Sequence, residues 1–80
     1  MWWLFELLEK IGSLYRYAYS CEDRSLDGIV EYDENTKEVV LTKPCSYDAD
    51  SKWAQNRATG KFISYVVEEN LPNRRMIACG

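Results

Sequence analysis

Apolar residues recur along the first quarter of the chain at the spacing of one helix face. Leu4, Leu7, Leu8, Ile11, Leu14, Tyr15 and Ala18 fall at i, i+3, i+4 and i+7, opposite Glu6, Glu9, Lys10, Ser13 and Arg16. The pattern predicts an amphipathic helix from residue 2 to residue 18, ending before the polar segment Ser20–Ser25. Gly12 in its middle costs up to about 1 kcal/mol against alanine, a small charge against so long a stripe. Trp2 projects among the polar positions, and Trp3 and Phe5 lie on opposite flanks of the stripe. Three such aromatics cannot share one core, so at least one is expected near the surface.

Two β-branched runs follow, Gly28–Tyr32 and Glu38–Thr42, joined by Asp33-Glu34-Asn35-Thr36-Lys37. Asp33 suits a type I turn because its carboxylate accepts nearby backbone N–H groups. The loop has no glycine, so Asn35 or Lys37 is expected to take the positive φ that such hairpin loops need. Alternation puts Val30 and Tyr32 on one face with Val39 and Leu41; Ile29 and Val40 face the other way, which predicts partial cover there too. Lys43-Pro44 ends the second strand, since proline cannot donate to a ladder.

Ser46, Asp48 and Asp50 are three successive candidate N-caps for a second helix over roughly residues 49–70. Ala54, Ala58, Phe62, Tyr65, Val66 and Glu69 trace its stripe, and Gly60 is expected to mark a close approach to a neighbouring element. Leu71-Pro72-Asn73 stops it, and Met76-Ile77-Ala78-Cys79 reads as a last strand. The predicted order is α-β-β-α-β. It implies a single α+β domain over residues 1–80, with two helices on one face of a three-stranded, mainly antiparallel sheet. The last strand is expected antiparallel beside Gly28–Tyr32, although a right-handed parallel crossover from the second strand is an alternative.

Composition agrees with one globular domain: 46% of the residues are apolar and 29% charged, which argues against disorder. A chain of this length buries only about 60% of its unfolded surface, so extra burial is needed, and oligomerisation is the simplest source. Cys21, Cys45 and Cys79 are an odd set without paired spacing, which points to reduced thiols and a cytoplasmic setting. Neither a signal peptide nor a membrane span is expected, because Glu6, Glu9 and Lys10 interrupt the apolar start.

The absence of histidine removes the commonest general base and zinc ligand, and with them the Ser-His-Asp and Cys-His triads. Four glycines at 12, 28, 60 and 80 cannot write a phosphate loop or a dinucleotide fingerprint. Asp48-x-Asp50 reads as capping rather than as a metal or acid–base pair. No catalytic residue, metal or cofactor is therefore expected. Cys45 is the best candidate for a reactive thiol, preceding a helix N-terminus with Lys43 nearby.

Residues 1–40 hold four Lys/Arg against nine Asp/Glu, net −5, while residues 41–80 hold six against four, net +2. The chain total of −3 disfavours nucleic acid unless Lys52, Arg57, Lys61, Arg74 and Arg75 gather on one face. Trp53 and Tyr65 are within reach of such a patch. The functional expectation is a non-enzymatic module for protein–protein interaction or homo-oligomerisation through Trp2, Trp3 and Phe5. An accessory protein using the basic residues for nucleic acid is the alternative.

Overall fold

A computed structural model describes residues 1–78. It has five strands, β1 (Trp2–Ile11), β2 (Leu14–Cys21), β3 (Gly28–Asp33), β4 (Glu38–Lys43) and β5 (Arg74–Ala78). One helix, α1 (Lys52–Phe62), continues into a wide π-helical turn at Ile63–Val67. The strands form one antiparallel sheet in the order β4-β3-β2-β1-β5.

The predicted α-β-β-α-β order is thus corrected to β-β-β-β-α-β, with five strands rather than three and one helix rather than two. The segment predicted as the first helix is the β1–β2 hairpin. Gly12, at φ 59°, supplies the positive φ of a two-residue Gly-Ser turn between the paired residues Ile11 and Leu14. Leu8 is the extra residue of a bulge between Leu7 and Glu9. That insertion spaces Leu4, Leu7, Leu8 and Ile11 like a helix stripe although they lie in a strand. The last strand pairs with Trp2–Glu6 of β1, not with Gly28–Tyr32. Cys79, expected at its end, lies outside the described residues.

The β3–β4 hairpin forms as the sequence indicated. Lys37 takes the positive φ, at 65°, and the Asp33 carboxylate accepts the Asn35 N–H at 2.9 Å. That bond holds the Asp33 carboxyl below its ordinary value. On the second face Ile29 is partly buried, as expected, whereas Val40 is half exposed. The open face carries Arg16 between Glu9 and Glu31, at 2.7 and 2.8 Å, and Arg74 at 3.6 Å from Glu6, as befits a solvated antiparallel sheet. At its far end Leu4, Ala18 and Ser20 are buried, and the chain after β2 folds back there, with Ser20 Oγ donating to the Asp23 carbonyl at 2.7 Å.

The covered face holds the core. Trp3, Phe5, Tyr17, Tyr19, Val30 and Tyr32 meet Ala58, Phe62 and Val66 of the helical segment. Phe62 packs against Phe5 at 5.5 Å and edge-on to Tyr17 at 5.2 Å between ring centroids. Large rings let a short chain fill a sheet–helix interface with few side chains. The stripe Ala54, Ala58, Phe62, Val66 advances four residues at a time, which drifts about 40° per step in an ideal α-helix. The π turn, where Glu68 N–H reaches the Ile63 carbonyl at 3.0 Å, takes more residues per revolution and keeps Val66 buried. Gly60 is exposed with nothing within 4 Å of where a side chain would stand, so it marks no close approach.

The N-cap of α1 is Ser51, whose Oγ accepts the Ala54 N–H at 3.1 Å, and not Ser46, Asp48 or Asp50. Asp48 does different work. It is 1% exposed, and its Oδ2 accepts from the Tyr19 hydroxyl at 2.8 Å. The same hydroxyl oxygen accepts the Cys45 N–H at 3.1 Å, and the Asp48 carbonyl accepts from Ser51 N–H and Gln55 Nε2. Asp48 and Tyr19 together pin the chain between β4 and α1 against β2.

Candidate functional site

The residues singled out from the sequence separate in space. Trp3 and Phe5 are core residues, each 1% exposed, while Trp2 projects to the open face, half-buried beneath the Arg24 guanidinium. Cys45 is buried as well, and burial pushes its thiol up, opposite to the direction a helix N-terminus would give. Among the described residues no group of three or more His, Cys, Asp or Glu is arranged to hold a metal ion. No helix among them is long and apolar enough to cross a membrane.

Three of the five basic residues do meet. Along α1 and its continuation, Trp53, Arg57, Lys61 and Tyr65 recur every four residues and share one flank. Its middle lies over Trp3 of β1 and its end, in the π turn, meets β5, whose Arg75 and Ile77 pair with Phe5 and Trp3 and therefore project to the same side of the sheet. In the seam between helix and edge strand, cations and rings alternate. The Arg57 guanidinium stands 5.1 Å from the Trp53 ring and 5.4 Å from Trp3. The Lys61 ammonium stands 5.4 Å from Trp3 and 5.6 Å from Tyr65, and the Arg75 guanidinium 5.3 Å from Tyr65.

Each such contact contributes about 0.5–1 kcal/mol when exposed and more when desolvated. The row thus holds long, mobile side chains in defined places. Its outer member, Trp53, is 64% exposed, the most exposed of the large apolar side chains. Arg75 is tied to Glu69 at 3.0 Å, and Arg74 stands on the opposite face of the sheet. Lys52 is exposed one position before Trp53.

No family model, curated protein or solved structure matches this chain. Its chemistry has to be read from the seam itself. The sequence points to Trp2, Trp3 and Phe5 as an interaction surface and sets Trp53 only beside the basic residues. The four-residue recurrence of Trp, Arg, Lys and Tyr on one helical flank was the available signal.

The hydroxyl and thiol groups that β2 turns into the core give a pH dependence with a definite sign. Burial pushes the Tyr17 hydroxyl up to about 12 from 10.0 and the Cys21 thiol up to about 12 from 9.0; Tyr19 is raised for the same reason. Each group keeps its proton longer when folded than when unfolded. Above their ordinary values the unfolded chain holds fewer protons, so stability falls as pH rises. The loss is expected to begin near pH 9 and continue to about pH 12, approaching about 1.4 kcal/mol per pH unit for each titrating group. Thermal melts stepped through the alkaline range measure it. Tyr17→Phe should flatten the slope above pH 10, and a melting temperature independent of alkaline pH contradicts this burial.

Proposed function

We propose that this chain is a non-catalytic interaction module that binds another protein through the α1–β5 seam. The exposure of Trp53 carries the reading. A tryptophan at 64% exposure, next to an arginine and in one row with a tyrosine, presents a large ring surface to a docking protein. Trp, Arg and Tyr are also the residue types that dominate binding energy at protein interfaces. The row sits on a helix backed by the aromatic core, so the surface is rigid before a partner arrives.

A residue kept for a partner contributes little to the fold that carries it. Trp53→Ala is therefore expected to change unfolding free energy by about 1 kcal/mol or less in denaturant titration, no more than its one contact with Arg57 is worth. A loss of about 2 kcal/mol or more would assign Trp53 to holding Arg57 over Trp3 for stability, and the reading would fall. Sedimentation velocity across the micromolar range, wild type against Trp53→Ala, separates a second copy of the chain from a different protein as the occupant.

A further inference from the structure

We infer that the seam takes an acidic segment of a partner protein, with a carboxylate on the Arg57 guanidinium and an apolar side chain against Trp53. The inference rests on the interaction reading above and names the partner's chemistry. Arg16, Arg74 and Arg75 each pair with a carboxylate of this chain; among the described residues no carboxylate pairs with Arg57 or with Arg24, and of these two only Arg57 lies in the seam. Arg57 is half-buried, with its guanidinium 5.4 Å from the Trp3 ring and 5.1 Å from the Trp53 ring. Contact with a ring uses the charge of a guanidinium and leaves its N–H donors for a planar acceptor. A carboxylate meets those donors with two parallel hydrogen bonds.

The rest of the row has the same bias. Lys61 and Arg75 stand beside Arg57 along the same row of rings. Glu69 is the acidic group at the seam, and it is engaged by Arg75 at 3.0 Å. A protein segment bearing carboxylates complements this surface better than a nucleic acid does. Single strands bind by stacking bases on open rings, yet Trp3 and Tyr65 each already have two cations over the ring. Trp53 alone offers open area, enough for one apolar side chain.

The test uses the full chain and three fluorescent probes. One is an Asp/Glu-rich peptide with interspersed leucines, one is its twin with every acid replaced by the amide, and one is an oligothymidylate of matching charge. Anisotropy titrations should show the acidic peptide binding at least about tenfold tighter than the amide twin, a difference that shrinks as salt rises. Arg57→Gln should bring the acidic peptide down to the level of its twin, whereas Arg24→Gln, on the other side of the sheet, should leave it unchanged. Circular dichroism of both variants confirms that they fold. Equal binding of the two peptides overturns the inference, as does oligothymidylate binding as tightly as the acidic peptide. A dimer that Trp53→Ala dissolves also overturns it, because the occupant is then a second copy. Failure of the peptide with Trp53→Ala still neutral for stability removes the acidic partner and leaves the interaction reading standing.

Discussion

Gly28→Ala is expected to remove most of the stability of the domain. Gly28 pairs with Tyr19 across β3 and β2, and both positions project onto the covered face. The Tyr19 ring occupies the space where a side chain at 28 would stand. A methyl group there would lie 2.3 Å from Tyr19 Cε1 and 2.7 Å from the Cys45 backbone nitrogen. Neither neighbour can retreat cheaply, since one is a ring buried at 0% exposure and the other is backbone. Moving the ring also breaks the hydroxyl's bonds to Asp48 and Cys45, which would strand a buried carboxylate. Overpacking of about 1–3 kcal/mol adds to a lost buried hydrogen bond of similar size, for about 3–5 kcal/mol together. That is most of the stability a small domain has. Urea titration measures the loss, and a double-mutant cycle with Tyr19→Val should shrink it by removing the ring that the methyl meets. A change below about 1 kcal/mol would mean that the ring does not lie over Gly28.

Phe62→Ala should cost about 3–5 kcal/mol, the range for emptying a buried aromatic site. Phe62 is fully buried and stands where α1 widens into the π turn, touching Phe5 and Tyr17 from two adjacent strands. Phe62→Leu keeps most of the volume and should cost about 1.5 kcal/mol or less. Denaturant unfolding of both variants tests the packing, and equal losses would show that this site is not filled by the ring.

The β3–β4 hairpin was legible because its signals are local. One covered face gives alternation, and Asp33 with Lys37 specifies the turn within five residues. The first hairpin was not legible, for two physical reasons. Trp3, Leu4 and Phe5 are all buried, so β1 shows no alternation where it pairs with both β2 and β5. The bulge at Leu8 then shifts the phase and imitates a helix stripe. Tyr15, Tyr17, Tyr19 and Cys21 did alternate at period two after Gly12-Ser13, a hairpin signal outweighed by the leucines. The stripe Ala54, Ala58, Phe62, Val66 was readable, but the wider turn that keeps its last member buried was not. Asp48 had the look of a cap because its partner Tyr19 lies 29 residues away, beyond any local rule. The seam was half readable: its cations were named from the sequence, but the rings between them come together only in the fold.

Edge strand β5 has a property that bears on how this protein behaves in crowded surroundings. Leu7 N–H bonds to the Asn73 carbonyl at 2.8 Å, which sets the odd-numbered residues that follow along β5 toward β1 and turns the Met76 carbonyl outward. Arg75 bends its guanidinium onto that carbonyl at 2.6 Å. An acceptor that would otherwise recruit a stray strand is occupied by the neighbouring side chain, on an edge only five residues long. The sheet therefore offers little template for runaway stacking on this side, and the arginine that helps order the seam also guards against aggregation.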